Sequence, residues 1–361
     1  MRERGLGGEG LMKTGITGLP FSGKTTLFCA LTGQSYGALA HGKDIHVGIV
    51  KVPDSRLDRL YEIFTPLKKT YAAMEYFDIA GQTSVRGKGM EPHVLQTLKN
   101  ADSLIVVLDA FREKAGPMSD FDAVTSELVF TDLVVATGRL ERIEKDIRSG
   151  KSGDMHLEKS VLEQCRSLLE DGKPLRDLDL TEDEEKTIRG FQFLSRKPLF
   201  IVVNISEEAL ISGKAGEYEK PFTTVRNSTC AAICAEIEME IAALDEYDRP
   251  EFLRSVGIEE PALGKVIRLS YTSLGLISFF TAGGKDEVRA WTVRKGARAP
   301  ECAGVVHSDM ERGFIRAEVV SFEDLIKAGS FKTAREMGLL RIEGKDYVTR
   351  DGDILTIRFS V

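Results

Sequence analysis

Gly18-Leu19-Pro20-Phe21-Ser22-Gly23-Lys24-Thr25-Thr26 is the stretch of sequence that decides the fold. Two glycines bracket four residues, and a lysine and a threonine follow at once, which is the full spacing of a phosphate-binding loop. Thr14 to Thr17 can end a short strand before it, and Leu27-Phe-Cys-Ala-Leu31 suits a helix after it. The glycines let backbone N–H groups turn inward around phosphate oxygens, and the helix that starts there aims its positive dipole end at the anion. Lys24 is expected to reach the β and γ phosphates as a catalytic group, and Thr25 to give its hydroxyl to magnesium. All nine residues are therefore candidate contacts for a purine nucleoside triphosphate. The alternative is a glycine turn that precedes a helix by chance.

Asp78-Ile-Ala-Gly81 follows the strand-like run Ala72 to Phe77. At about fifty residues past a phosphate loop, this pattern predicts a magnesium-side carboxylate at Asp78, acting through water, and a γ-phosphate-sensing N–H at Gly81. A plain turn is the bland reading. Further strands are expected over Ser103 to Leu108 and Leu199 to Val203, the latter ending in Asn204-Ile205-Ser206-Glu207. In GTPases of this architecture that strand end carries Asn-Lys-x-Asp, whose aspartate accepts guanine N1–H and N2–H. Here the lysine is absent and a longer carboxylate stands last, so strict guanine selection is not expected. Asn204, Ile205 and Glu207 are candidate base contacts, with an ordinary surface loop as the alternative.

The whole chain has 361 residues, 42% of them apolar, and 56 acidic against 49 basic residues leave a net charge of −7. That suits two or three folding units and excludes a polycation searching for nucleic acid as a whole molecule, so any RNA contact needs a local patch. No apolar run is long enough to span a bilayer, and Met1 to Gly10 is polar and glycine-rich, so a cytoplasmic location with no membrane contact is expected. The five cysteines, at 29, 165, 230, 234 and 302, are read as reduced thiols. Cys230 and Cys234 could lie on one face of a helix and are read as packing groups, with metal binding as the lesser reading.

From Asp122 to Ile147 a seam of Leu133, Ala136, Leu140, Ile143 and Ile147 predicts a long helix. A turn at Ser149 to Gly153 and a second seam of Leu157, Val161 and Leu168 predict an antiparallel return. Thr181-Glu-Asp-Glu184 reads as a capping box, and Arg196-Lys197-Pro198 leads back to the next strand. A two-helix arm of this kind suits partner recognition coupled to nucleotide state, with a rigid brace as the alternative. Past residue 277, Val288 to Val293 and Phe314 to Val320 are strand-like, and Val348 to Phe359 reads as a hairpin with an Asp-Gly turn. Arg289, Arg294, Lys295 and Arg298 form a cationic cluster suited to rRNA phosphates, or simply a solvated face.

Taken together, Gly18 to Thr26, Val47-Gly-Ile-Val-Lys-Val-Pro-Asp-Ser-Arg-Leu-Asp58, Asp78 to Gly81 and Asn204 to Glu207 resemble the YchF family, the Obg-like ATPases. Ala235 to Asp245, Phe279-Phe-Thr-Ala-Gly283, Glu287-Val-Arg-Ala-Trp-Thr292, Gly313-Phe-Ile-Arg-Ala317 and Glu343-Gly-Lys-Asp-Tyr347 are similar to that family's segments in the same order. The resemblance covers nearly everything from Met12 onward and implies an α/β, Ras-like P-loop NTPase domain over 12–112 and 197–277. It further implies a helical coiled-coil insert at 113–196 and a β-grasp, ubiquitin-like TGS domain at 278–361, with residues 1–11 a disordered tail or a misassigned start. An ATP preference and association with ribosomes come with it. This chain departs from the family in three places. Gln82 stands after DxxG where the family is hydrophobic, as in the Ras arrangement in which a glutamine orients the attacking water. The family's loop histidine has no counterpart between His93 and His156, and Gly42 stands where a threonine would contact magnesium. Gln82 is the candidate replacement catalytic residue, with an exposed loop residue as its alternative. His41 and His46 are read as mobile switch-loop histidines in preference to metal ligands.

The expected activity is slow hydrolysis of ATP, with GTP as the other nucleotide, by a regulatory NTPase of the translation machinery. A nucleotide-dependent binding module with negligible turnover, a GTP-specific switch protein and a small-molecule kinase are the competing readings.

Overall fold

The computed structural model describes residues 11–39, 45–79, 91–149, 155–245, 247–258 and 260–360. The expectations for the first ten residues, Gly42, His41, Gly81 and Gln82 lie outside them. The described strands, in chain order, are β1 (Met12–Thr17), β2 (Ile45–Lys51), β3 (Lys68–Thr70), β4 (Ala73–Ile79), β5 (Ser103–Ala110) and β6 (Leu199–Ile205). After them come β7 (Ser228–Ile233), β8 (Leu276–Thr281), β9 (Glu287–Arg294), β10 (Phe314–Ser321), β11 (Arg341–Glu343) and β12 (Asp353–Phe359).

One sheet has the order β2-β4-β1-β5-β6-β7. β1 pairs parallel with β5, β5 with β6 and β6 with β7. The all-apolar runs at β5 and β6 follow from this placement, since a central parallel strand is covered on both faces. Every residue of β6 is buried, and all of β5 except Ala110. Strand order reverses at β1, and the carboxyl ends of strands at such a switch point form the natural ligand crevice of an open α/β sheet. Val94 and Leu98 of the helix Pro92–Asn100, and Phe121, Val124 and Leu128 of the helix Pro117–Arg148, join Leu104, Val106, Leu108, Ile201 and Val203 in the core of this layer.

The long helix then runs away from that core and packs on the helix His156–Glu170. The seams differ in detail from the periodicity reading. Ala136, Leu140 and Ile143 are buried, but Leu133 is only partly covered and Ile147 is 45% exposed. On the returning helix the contact face is Val161, Leu162, Cys165 and Leu169, while Leu157 is exposed. Val161 is common to the expected and observed seams; Cys165 joins the face because it packs as an apolar residue, and Leu169 is buried with Leu168 partly covered beside it. The capping box at Thr181 is present, with Thr181 accepting from Glu184 N and Glu184 reaching back to Thr181 N. Asp132, fully buried in the long helix, accepts from Leu194 N at 2.9 Å, Ser195 N at 2.7 Å and Ser195 Oγ at 2.6 Å.

The second sheet has the order β11-β10-β12-β8-β9-β3. β8 with β9 and β10 with β12 are antiparallel, whereas β12 with β8 and β3 with β9 are parallel. Val348 to Phe359 is not a hairpin. Only Asp353–Phe359 is a strand, and Val348 makes an isolated bridge to Arg298. The Asp-Gly turn is diverted to distant partners: Asp351 Oδ1 accepts from Ser278 N at 2.9 Å, and Gly352 N donates to Ser278 O at 2.9 Å. Cys230 lies in β7 and Cys234 caps the next helix, so they do not share a helix face.

By its internal contacts the chain divides into two compact units, one of Lys13–Gly48 with Tyr76–Leu263 and one that joins Ile49–Glu75 to Gly264–Val361. Within the latter, Arg56 donates to Asp54 and Asp351 and lies over the Phe280 ring at 5.3 Å. Among the described residues no helix is long and apolar enough to cross a membrane.

Candidate functional site

The loop after β1 has the backbone that its glycines permit. Gly18 has φ +145°, and a Cβ there would meet the Val107 carbonyl oxygen at 2.4 Å. Gly23 has φ +93°, and a Cβ there would lie 2.2 Å from Asn204 Nδ2. Both positions therefore exclude a side chain by close approach as well as by φ. The helix Lys24–Thr32 starts directly from the loop.

Lys24 is 7% exposed and folds back so that Nζ donates to Gly18 O at 3.0 Å and Leu19 O at 2.7 Å. Burial pushes its ammonium down to about 8, opposed by the charge of Asp78. Among the described residues the hydrogen-bond partners of Lys24 are these two carbonyls, so its buried charge has no hydrogen-bonded counter-ion among them. Asp78 is the penultimate residue of β4, at the strand's end, and is fully buried. Neither carboxylate oxygen has a hydrogen-bond partner among the described residues. Burial raises its pKa, while the neighbouring Thr25, His46 and Lys24 pull the other way. Thr17 Oγ1 and Ser22 Oγ are likewise buried and unpaired.

These groups fit magnesium. An unpartnered buried carboxylate beside the Thr25 hydroxyl is the hard oxygen set a cation of this kind takes, with water and phosphate completing it. Among the described residues no group of three or more His, Cys, Asp or Glu side chains is arranged to hold a metal ion. His46 belongs to β2 and is 10% exposed, contrary to its reading as a mobile loop residue. Its Nε2 lies 3.1 Å from Leu39 O and its Nδ1 3.7 Å from Asp78 Oδ2.

Asn204 and Ile205 end β6. Asn204 Nδ2 donates to Ser22 O at 3.0 Å, and its Oδ1 accepts from Ala235 N at 3.0 Å. Both ends of this amide thus serve the protein, and the side chain braces the phosphate loop from beneath. Glu207 opens the helix Glu207–Ile211, which Ser206 caps by accepting from Ala209 N.

Lys24, Thr25 and the end of β6 border one cavity of about 930 Å³; Asp78, Ser22 and His46 are not among its lining residues. Pro20, Phe21, Gly23, Lys24, Thr25 and Thr26 line one part, and Asn204, Ile205, Ser206 and Glu207 another. The cavity also has walls that sequence reasoning missed: Tyr36, Phe111, Arg112, Cys234, Glu236 and Met239. Phe111 and Arg112 come into place because buried Asp109 accepts from both their backbone N–H groups and from Arg112 Nε. An acidic strand end followed by an aromatic residue was the available signal, but it has no fixed spacing from the phosphate loop.

A relative from Bacillus subtilis (strain 168), named Ribosome-binding ATPase YchF, is 38% identical over 366 residues, covering 97% of this chain and all of the relative. The chain belongs to the YchF family. The YchF of Escherichia coli O157:H7, under the same name, is 37% identical over 362 residues, 97% of this chain and 99% of its own length. The family model YchF-GTPase_C, described as a protein of unknown function (DUF933), matches residues 276–360. Among solved structures, that of the Schizosaccharomyces pombe YchF GTPase superposes with a TM-score of 0.83 at 28% identity, covering 98% of this chain and 99% of the other. The α/β P-loop NTPase fold of YchF is therefore the fold of this chain.

Proposed function

We propose that this YchF-family chain is a ribosome-associated regulatory NTPase that binds ATP with magnesium at the phosphate loop and hydrolyses it slowly. The observation that carries the reading is a pair of buried charges: Lys24, which lines the cavity and whose hydrogen-bond partners among the described residues are carbonyls, and the nearby Asp78, whose carboxylate has no hydrogen-bond partner among them. A magnesium triphosphate supplies the counter-charge to both. In this reading Gly18 to Thr26 cradle the phosphates and Lys24 neutralises charge that builds on the transferred group. Thr25 directly, and Asp78 through water, would hold magnesium, which when bound would supply charge neutralisation for the phosphates. Gly81 senses the γ-phosphate and Gln82 orients the attacking water.

The base is assigned to adenine. The relatives quoted from bacteria are named ATPases, whereas the fission-yeast structure is titled a GTPase. The Asn204-Ile-Ser-Glu207 element lacks the short aspartate of a guanine reader, and Gln82 works at the γ-phosphate, where it cannot read the base. GTP is accordingly the weaker ligand. The domain assignment proposed is a nucleotide domain of 12–112 and 197–277, a coiled-coil insert at 113–196 and a TGS domain at 278–361. Ribosome contact is proposed through the last two. Arg289 stacks on Trp291 with 4.0 Å to the ring centroid, and Arg298 is paired on the surface with Asp346 at 3.1 Å. Arg294 and Lys295 are thus left as the stronger candidates for rRNA phosphates.

A binding module with negligible turnover is the second reading, favoured by Gly42 and by the missing loop histidine. Phosphate release from ATP with and without ribosomes separates the two. Turnover that ribosomes raise supports the NTPase, and turnover at background under both conditions supports the module. Unchanged turnover in Gln82→Ala would remove that residue from the chemistry. Ribosome co-sedimentation that falls steeply with salt, and is lost on charge reversal at Arg294 and Lys295, is the expected signature of the RNA contact.

A further inference from the structure

Phe21 and Tyr36 line the same cavity as Lys24 and Thr25, and both are open to solvent, Phe21 at 83% and Tyr36 at 48%. Phe21 is also held at φ +65°, in the left-handed region that a bulky side chain adopts only at a cost. An aromatic ring in a strained backbone, with almost no protein contact, gains nothing from the fold in this state. Tyr36 comes from a different segment, the short helix Tyr36–Leu39, and its hydroxyl lies 2.5 Å from Thr26 Oγ1. That bond seats the ring beside the loop residue that follows the metal-side threonine. The cavity is larger than a polyphosphate alone requires, and these two aromatic side chains are part of its lining.

We infer that Phe21 and Tyr36 are ligand-contacting residues that clamp the nucleoside of the bound nucleotide between aromatic rings, an assignment that rests on the nucleotide reading above. Stacking on a purine face supplies affinity without reading the base edge, because each base has a π-face. The clamp is therefore separate from base selection at Ile205 to Glu207: it strengthens ATP and GTP by the same factor. It also acts on the nucleoside and not on the phosphate chain, so inorganic tripolyphosphate does not depend on it.

The test is calorimetric titration of magnesium ATP, GTP and tripolyphosphate into the full chain and into Phe21→Ala, Tyr36→Ala, Phe21→Tyr and Tyr36→Phe. The two alanine variants are expected to weaken ATP and GTP alike by about tenfold each, while tripolyphosphate stays within about twofold and the aromatic replacements within about threefold of the parent. Both side chains are exposed, and melting curves unchanged from the parent verify that folding is intact. Alanine variants that bind ATP as the parent does would overturn the clamp, as would an equal loss for tripolyphosphate, which would make the rings supports of the phosphate loop. A parent chain that binds tripolyphosphate but neither nucleotide would instead overturn the nucleotide reading itself, and the clamp with it.

Discussion

Asn204 holds the phosphate loop in place by donating its Nδ2 to the Ser22 carbonyl at 3.0 Å, directly under the point where Gly23 has no room for a side chain. The other end of the same amide is fixed by Ala235 N. With both ends of its amide engaged by the protein, Asn204 is suited to bracing the loop, and base discrimination is proposed for its neighbours.

Asn204→Ala is therefore expected to weaken ATP and GTP by a similar factor, and to lower stability by about 2 kcal/mol for two buried hydrogen bonds. Titration of both nucleotides with a parallel denaturation curve checks this. A change in the ratio of the two affinities would return Asn204 to the base.

Asp78 presents the opposite balance of stability and function. In the ligand-free protein it is a buried carboxylate without a hydrogen-bond partner among the described residues, so Asp78→Asn removes a desolvated acid and is expected to leave the melting temperature unchanged or higher. The same variant is expected to erase the difference between ATP binding with magnesium and ATP binding in a chelator. A variant that melts lower and keeps its magnesium dependence would contradict the assignment.

Asp132 gives a pH signature away from the cavity. Burial pushes its pKa up to about 6, against the hydrogen bonds from Ser195 and Leu194. Because the folded value lies above the ordinary 3.8 of an aspartate, the native state holds this proton more tightly, so the contribution to stability is greatest below pH 3.8 and is lost as pH rises through about 6. Across that window the parent is expected to lose about 3 kcal/mol from this group, at most, relative to Asp132→Asn. Denaturant-derived stabilities of both proteins between pH 4 and pH 7 measure the difference, and parallel profiles would show that Asp132 does not titrate in this way.

The legible parts of the molecule were those governed by fixed spacing or by a burial pattern on both faces. Gly18, Gly23, Lys24 and Thr25 announce the loop, and the continuous apolar runs at β5 and β6 announce central parallel strands. β3 was invisible because Lys68-Lys69-Thr70 carries no apolar period. It is held to β9 by backbone pairing, by a Thr70 hydrogen bond to Glu287 and by a Lys68 contact to the same carboxylate at 3.7 Å. The false hairpin at Val348 to Phe359 has a related cause: the local Asp-Gly signal was correct for a turn, but Asp351 is committed to Ser278 and Arg56, whose distance in sequence no local rule anticipates. In the cavity, Tyr36, Phe111 and Met239 arrive from three separate segments. Their convergence is a property of the topology and not of any one motif.

The most direct test of the account is a paired titration of the full chain with ATP and GTP in magnesium, repeated for Lys24→Ala. The account predicts that both nucleotides bind the parent, ATP more tightly, and that both are lost in the variant. No binding of ATP by the parent, or GTP as the tighter ligand, would contradict it.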